Sequence, residues 1–441
     1  MLLCSAVLTA QDYFFEPPRA LVSGNARFPT IEAVGEGLIL VYQEVEWTEA
    51  EGGTIRLAVR TSATGRRWSE PRYPTDQSFR FTGTAVPLLY SLAVEEGSTA
   101  WLAVSSSPTA IEVLRSDDGF ESFESSAAID SDTTTVSPEL FIGTEGRLLL
   151  FATRSVETSP SILYATSDNG RVWSSLEPLE TNPALSLNFL PHHASFEGRD
   201  IVVFQSLTTT GEATFQLYSK VSDDGGRTWS EARLVTGFSD PQIGGESTRY
   251  DNQRPYVLAY ESTLALVWER TFTGRQSRAF YAELDADGRI VGSAQELSSP
   301  LDSAHFPRLL YFDEKPHVFW FSNPLGDAQV TMAYFDGGFW RTERLATTTG
   351  VSTFSAVTEA RGRLHLFWQS RPDTEDQRAA ASIVYLEPDQ SVRPPRAEGL
   401  DFVAGRRSNQ EQVSVTWDPP EDPSGVRGFS YVWSQDPDAE V

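Results

Sequence analysis

One spacing recurs along most of the chain: a proline is followed thirteen residues later by a large aromatic residue that ends an apolar segment. The spacing is seen in the pairs Pro29 and Tyr42, Pro138 and Phe151, Pro191 and Phe204, Pro255 and Trp268, and Pro307 and Trp320. Each repeat consists of a short strand, a turn with glycine or acidic residues, and a second strand. A period of roughly 50 residues built only from strands is typical of propeller blades, so the sequence predicts an all-β β-propeller.

Two further units fit the repeat less closely. Ser355 and Trp368 keep the spacing without the proline, and Pro87 and Trp101 fit it with a slip of one residue. Counting both gives seven predicted blades over residues 20–392. Six blades is the alternative, in which the Pro87 unit lies outside the ring. We expect the aligned aromatic residues to pack between blades rather than to stack on a sugar.

A turn motif follows several of these strand pairs. The segment 222–229 (SDDGGRTW) fits the pattern S-x-D-x-G-x-x-W, and 166–173 (TSDNGRVW) fits it with Thr at the start. Looser copies lie at 61–68, 116–123 and 333–340. In such a turn Asp and Ser bond the local backbone and Gly takes a positive φ, so the aspartates are expected to be structural and not catalytic. The motif resembles the Asp-box repeat of sialidase-like propellers.

Charge excludes one class of partner. The chain has 441 residues, of which 35 are Lys or Arg and 61 are Asp or Glu, for a net charge of −26. Bulk electrostatics therefore oppose binding to nucleic acid or to an anionic bilayer. An anionic ligand would need a local cluster of arginines.

The two ends of the chain differ from the repeats. Residues 1–10 (MLLCSAVLTA) are apolar and resemble a secretory signal, which predicts an extracytoplasmic protein; a ragged cytoplasmic N-terminus is the alternative. No segment approaches the roughly 18 apolar residues that span a bilayer. Residues 396–441 contain VSVTWDPP and GFSYVWS, which resemble the opening strands of a fibronectin type III domain, and predict part of an Ig-like sandwich.

The repeat also predicts where a ligand would bind. Within a blade, the start of the first strand and the end of the second strand lie at the same edge of the sheet, and the Asp-box turns lie at the other edge. One mouth of the propeller should therefore collect the residues just before the proline and those just past the aromatic residue. The candidates for ligand binding are Arg27, Arg154, Arg254, Arg270, His305 and Arg371, with Gln43, Glu44, Gln205 and Gln253 beside them. Guanidinium groups bind carboxylates in a bidentate manner, which favours an acidic ligand; the alternative for each arginine is a structural ion pair at a sheet edge.

The resemblance to sialidases has its own implications. Those enzymes hold the carboxylate of sialic acid with three arginines, one of them in an Arg-x-Pro motif that Arg27-Phe28-Pro29 matches. Their tyrosine nucleophile would fall at Thr353-Phe354-Ser355, where Phe354 has no oxygen with which to attack. Their acid would fall in the loop that holds Glu49 and Glu51, which, with Glu246, are the candidates for catalysis. A solvated acidic loop is the alternative for Glu49 and Glu51.

Metal and cofactor chemistry is not predicted. His192 and His193 are adjacent on a strand and should point to opposite faces, and no residues have metal-ligand spacing. The preferred hypothesis is a binding propeller that recognises a glycan, possibly an acidic sugar, or a protein at the arginine-rich mouth. The alternatives are a sialidase-type glycoside hydrolase with an altered nucleophile and a structural envelope scaffold.

Overall fold

The computed structural model describes residues 13–48, 52–95, 99–154, 160–208, 214–237, 250–272, 276–299, 303–322, 328–348, 350–372, 376, 378–389, 396–399 and 415–418. Its contacts divide the chain into a large unit, Pro18–Leu386, and a small unit made of Met1–Pro17 and Glu387–Val441. The predicted signal at residues 1–10 and most of the predicted sandwich at 396–441 lie outside the described residues. No helix in the described part is long and apolar enough to cross a membrane.

The described strands of the large unit form seven four-stranded antiparallel sheets. The first four blades comprise β2 (Ala26–Val34), β3 (Gly37–Trp47), β4 (Gly53–Ser62) and β5 (Phe79–Phe81); β6 (Tyr90–Val94), β7 (Ala100–Ser107), β8 (Ala110–Ser116) and β9 (Glu124–Asp130); β10 (Thr135–Ile142), β11 (Leu148–Arg154), β12 (Ser161–Ser167) and β13 (Glu177–Pro178); and β14 (Leu185–Phe196), β15 (Arg199–Thr208), β16 (Phe215–Ser222) and β17 (Arg233–Leu234). A single 3₁₀ turn, Thr144–Gly146, is described between β10 and β11.

The remaining blades complete the ring. They comprise β18 (Tyr250–Tyr260), β19 (Thr263–Phe272), β20 (Arg278–Leu284) and β21 (Ile290–Glu296); β22 (Ala304–Phe312), β23 (Lys315–Ser322), β24 (Ala328–Asp336) and β25 (Phe339–Thr348); and β26 (Val351–Ala360), β27 (Arg363–Arg371), β28 (Ser382–Leu386) and β1 (Arg19–Val22). In the small unit β29 (Arg396–Gly399) pairs with β30 (Val415–Asp418).

The prediction of seven blades is confirmed, and the alternative of six is wrong because the Pro87 unit forms the second sheet of the ring. The first strand of every blade lines one central cavity, which is why seven sheets belong to a single ring. The seventh blade is closed by β1, which pairs with β28 and so supplies the outer strand from the other end of the propeller sequence.

The core consists of side chains packed between neighbouring sheets. The aligned aromatic residues are completely or almost completely buried, as predicted: Tyr42, Phe151, Phe204, Trp268, Trp320 and Trp368. Their place in the repeat puts a large apolar side chain at the same depth in six blades. Burying aromatic rings of this size contributes a large share of the stabilisation of the ring.

The turns that carry the S-x-D-x-G-x-x-W pattern lie at the blade edge opposite the first-strand starts. Asp224 follows β16 and its carboxylate accepts hydrogen bonds from the Thr228 backbone N–H and from the Ser222 and Thr228 hydroxyls. Gly170 has a φ of 70°, and a Cβ at that position would overlap the Trp101 ring of the neighbouring blade. The turn at 222–229 therefore closes on itself through its aspartate, which is the structural role expected of it. In 166–173 the local backbone is bonded by Asn169, which accepts from the Arg171 and Val172 N–H groups, whereas Asp168 pairs with Arg147 and Arg227; the local role expected of Asp168 is wrong.

Candidate functional site

A bulge shapes the start of most first strands. The residue before the proline of the repeat takes a positive φ, for example 52° at Phe28, 53° at Arg254 and 55° at Phe306, and the pairing register shifts there. A β-bulge bends the strand and changes the direction of its side chains. In this chain it presents residues 27–28, 253–254, 305–306 and 353–354 at the end of the ring where the first strands begin, which we call the mouth.

A side chain of the preceding blade bonds the backbone near the start of a first strand in four places, three of them at a bulge. Gln369 Oε1 accepts from the Phe28 N–H at 3.1 Å and Gln205 Oε1 from the Arg254 N–H at 3.0 Å. In the same way Gln43 accepts from the Leu89 N–H, and Glu269 accepts from the Phe306 N–H. We call these contacts interblade brackets. Gln43 and Gln205, predicted at the mouth, thus satisfy buried backbone groups there.

Three arginines and a tryptophan meet where the first and last blades adjoin. The Arg27 guanidinium lies 5.8 Å from the Trp47 ring and donates to the Ala379 carbonyl, and the Arg378 guanidinium lies 5.6 Å from the same ring. Burial and then the positive charge of Arg371 lower the pKa of Arg27. We call these residues the Arg27 cluster. It contains two of the predicted arginines, Arg27 and Arg371, and adds Arg378 and Trp47.

The other predicted arginines have different surroundings. Arg270 is buried between the Tyr250 and Phe280 rings, and its Nε donates to Asn252 Oδ1 at 2.9 Å. Arg154 lies at the mouth end of the third blade, opposite Thr135. Glu44, also placed at the mouth by sequence, accepts from the Tyr42 and Tyr73 hydroxyls.

Arg254 and His305 share one carboxylate. Glu269 is almost completely buried; its Oε2 accepts from Arg254 Nη1 at 2.7 Å and its Oε1 contacts His305 Nδ1 at 3.0 Å. Burial alone would raise the pKa of Glu269, but the His305 hydrogen bond and the Arg254 charge outweigh it and lower the pKa. His305 Nε2 lies 2.7 Å from Ser303 Oγ. The Glu269 carboxylate, the His305 imidazole and the Ser303 hydroxyl are thus connected in series at the mouth.

Three phenylalanines connect the two sides of the mouth. The Phe28 and Phe354 ring centroids lie 4.6 Å apart, those of Phe306 and Phe354 lie 5.3 Å apart, and the Arg254 guanidinium lies 4.6 Å from the Phe306 ring. All three rings occupy the same position of the bulge. Phe354, the position that the resemblance assigns to the nucleophile, therefore packs against apolar neighbours.

The carboxylates predicted for catalysis are not placed by the structure. Glu49, Glu51 and Glu246 lie outside the described residues. Asp251, near Glu246 in sequence, accepts from the Phe215 backbone N–H, and burial raises its pKa.

Sequence reasoning missed the lining of the central cavity. The cavity has a volume of about 350 Å³, and its lining includes His193 and five other ionisable residues, namely Glu32, Glu139, His192, Tyr256 and Arg308. Burial raises the pKa of Glu32 to about 7 and lowers that of His192 to about 3. Four of the five directly follow the prolines of the repeat, at 138, 191, 255 and 307, so the signal was available.

His192 and His193 do point to different surroundings. His192 stacks 4.0 Å from the Tyr256 ring, whereas His193 Nε2 lies 2.9 Å from Asp200 Oδ1. Among the described residues no group of three or more His, Cys, Asp or Glu side chains could hold a metal ion.

The comparisons with known proteins identify the fold. No protein-family profile matches the chain, and no curated protein matches it in sequence. A PL25 ulvan lyase solved with -[GlcA(1-4)Rha3S]- has a TM-score of 0.54 at 11% identity, over 86% of this chain and 95% of the lyase. The polysaccharide lyase Uly1 has a TM-score of 0.50 at 12% identity, over 87% and 94%.

A sialidase shares the same architecture more distantly. The Trypanosoma rangeli sialidase in complex with sialic acid has a TM-score of 0.44 at 12% identity; the match covers 85% of this chain and 57% of the sialidase. The likeness is one of fold. Since unrelated functions share propeller folds, function has to be argued from the site itself.

Proposed function

We propose that this chain is an extracytoplasmic propeller that binds an acidic carbohydrate at its mouth. The observation that carries the proposal is the Arg27 cluster, in which guanidinium groups gather beside Trp47 in a protein of net charge −26. Guanidinium groups recognise carboxylates through paired hydrogen bonds, and the indole ring offers an apolar face to a sugar.

Electrostatics favour an anion at this position. Arg27 is 6% exposed, and Arg371 disfavours its charged form. A carboxylate placed between the two guanidinium groups would offset that repulsion, and partial burial would strengthen the attraction.

The comparisons support a carbohydrate in particular. Two propellers whose TM-scores reach 0.5 are polysaccharide lyases, and one of them was solved with a saccharide that contains GlcA. At 11–12% identity this supports the ligand class only through the shared fold, and the arginines supply the argument for the acidic group.

Cleavage by the sialidase mechanism is not part of the proposal. Phe354 packs against Phe28 and Phe306 at the nucleophile position and has no oxygen that could form a glycosyl intermediate. A glycosidase with another nucleophile and a purely structural scaffold are the competing hypotheses.

The test is a calorimetric titration with uronic-acid oligosaccharides and with the same oligosaccharides after reduction of their carboxylates to alcohols. Arg27→Ala should weaken binding of the acidic ligand about 30-fold or more, because breaking one side of a desolvated charge pair costs roughly 2 to 5 kcal/mol. Arg66→Ala is the matched control, since Arg66 is exposed and lies in the turn at the opposite edge of the same blade.

Two results would contradict the proposal. One is equal affinity of wild type and Arg27→Ala for every acidic ligand that binds. The other is undiminished binding of the reduced, neutral oligosaccharides.

A further inference from the structure

Ser303, His305 and Glu269 form a continuous hydrogen-bonded series at the mouth. Ser303 Oγ lies 2.7 Å from His305 Nε2, and His305 Nδ1 lies 3.0 Å from Glu269 Oε1. The acid is nearly buried, the imidazole side chain is 38% exposed and the serine is partly exposed. The carboxylate is therefore shielded from solvent, whereas the imidazole and the hydroxyl are both partly accessible to a substrate.

The carboxylate determines which nitrogen of His305 carries the proton. Glu269 Oε2 accepts from Arg254 and from the Phe306 N–H, and Oε1 also accepts from the Thr271 hydroxyl. An ionised carboxylate only accepts hydrogen bonds, so His305 Nδ1 must be the donor. In the neutral ring Nε2 is then the acceptor, and the Ser303 hydroxyl donates its proton to it.

The bracket between Glu269 and the Phe306 N–H does not require a charged side chain. It occupies the interblade bracket position that Gln43, Gln205 and Gln369 occupy in other blades, where a glutamine is sufficient to bond the backbone N–H. Among the described residues, this is the bracket position at which an imidazole and a guanidinium both donate to the side chain. Its carboxylate therefore serves the mouth residues.

We propose that Ser303, His305 and Glu269 constitute an acyl-transfer site that hydrolyses carboxylic esters, with Ser303 as nucleophile, His305 as general base and Glu269 as the group that orients His305. The three roles and their contacts match the arrangement by which serine hydrolases are recognised irrespective of fold. Nothing in this inference depends on the Arg27 cluster. That the ester is an acyl group on a carbohydrate rests on the proposed function.

The reaction balances with water as the second reactant. Ser303 Oγ forms a bond to the carbonyl carbon while its proton moves to His305 Nε2. The bond from that carbon to the alkoxy oxygen breaks, and the departing alcohol takes the proton from His305. Water, deprotonated by His305, then attacks the acyl-serine, and the carboxylic acid leaves as Ser303 regains a proton.

The site can be tested on the full chain without knowledge of its substrate. A fluorophosphonate probe phosphonylates activated serines, and peptide mass spectrometry shows which serine is modified. We expect labelling at Ser303 of the native protein, loss of labelling in Ser303→Ala, and turnover of p-nitrophenyl acetate that disappears with it.

Glu269→Gln is the decisive variant. The amide oxygen can keep the bracket to Phe306, as glutamine does in three other blades, so the variant should fold. The amide nitrogen would then donate to His305 Nδ1 and force the proton onto Nε2, which can no longer accept from Ser303. We expect the labelling rate to fall about 100-fold or more. Gln369→Glu, which changes the bracket to Phe28 in another blade, is the matched control and should leave the rate unchanged.

Three outcomes would overturn the proposal. The first is the absence of probe at Ser303 in the native protein, a result that needs no variant. The second is labelling at Ser303 that is as fast in Glu269→Gln and in His305→Ala as it is in wild type. The third is a labelling rate whose dependence on pH is the same in wild type and in His305→Ala. Each can occur while acidic glycans still bind through Arg27, so this inference and the proposed function can fail separately.

Discussion

Glu32 lies in the central cavity, where burial raises the pKa of its carboxyl group from 4.5 to about 7. The other charged or titratable residues that line the same space are Glu139, His192, His193, Tyr256 and Arg308. The folded protein thus retains a proton that the unfolded chain releases above about pH 4.5. By linkage, the stability that this retained proton contributes to the folded state is fully present below pH 4.5 and is lost as the pH rises through 7.

Glu32→Gln should therefore raise the free energy of unfolding at pH 8 by about 1 to 3 kcal/mol relative to wild type and change it little at pH 4. Urea denaturation at the two pH values measures the difference. Glu197→Gln, at an exposed turn, is the control and should show no such pH dependence. A wild type whose stability does not fall between pH 5 and 8, with Glu32→Gln behaving identically, would contradict this account.

Phe354 leads to a prediction about catalysis. Wild type should hydrolyse a fluorogenic sialoside at a rate near background, because the position assigned to the nucleophile has no oxygen. Phe354→Tyr supplies a phenol oxygen at this position but also disturbs the ring contacts with Phe28 and Phe306. It therefore tests whether one added oxygen is sufficient for turnover. Robust turnover by wild type, retained when Tyr250 and Tyr256 are both replaced by Phe, would show that another nucleophile exists.

Individual arginines show how far the sequence could predict the site. The repeat places Arg154, Arg270 and Arg371 at the mouth ends of their strands, as the structure does. Arg270 follows the aligned aromatic residue by two positions and Arg371 follows it by three, so alternation along the strand sends them to different faces. The offset could be read from the sequence. That the Tyr250 and Phe280 rings would bury Arg270 could not, because those rings come from the neighbouring strands β18 and β20 and meet Arg270 only when the sheet forms.

The turn at 222–229 is an element whose role can be separated from the mouth. Asp224→Ala removes the acceptor of three hydrogen bonds within the turn and should lower the free energy of unfolding by about 1 to 3 kcal/mol. Asp223→Ala in the same turn loses only an ion pair with Arg199 at an exposed position and should cost about 0.5 kcal/mol or less. Chemical denaturation gives both values, and an effect of Asp224→Ala on ligand affinity in the folded fraction would refute a purely structural role.

Strands and turns were predictable because their signals are local. Proline, the apolar run and the aromatic residue of each repeat define two strands, and the blade count follows from counting repeats. The brackets were not predicted, since Gln369 and Phe28 are joined only when the ring closes. Glu269 was missed for the same reason, although its place after Trp268, where three other blades have glutamine, was visible in the sequence.

Ring closure is a property of the whole molecule. A variant that starts at Ser23 lacks β1 and leaves the outer edge of β28 unpaired, whereas one that starts at Pro18 keeps that pairing. We expect the first to lose cooperativity and a large part of its stability and the second to unfold like wild type. Equal thermal midpoints for the two variants in calorimetry would show that β1 does not stabilise the ring.

The same closure imposes an order on biosynthesis. β1 is the earliest of the propeller strands to be translated, yet its partner β28 ends at Leu386, so the two are separated by nearly the whole unit. Blades one to six can form in succession as they leave the ribosome, but the seventh is incomplete until translation has passed residue 386. Throughout that interval β1 must remain unpaired, and a nascent chain arrested before this point should be captured by chaperones that bind extended apolar segments, while one arrested well beyond it should not.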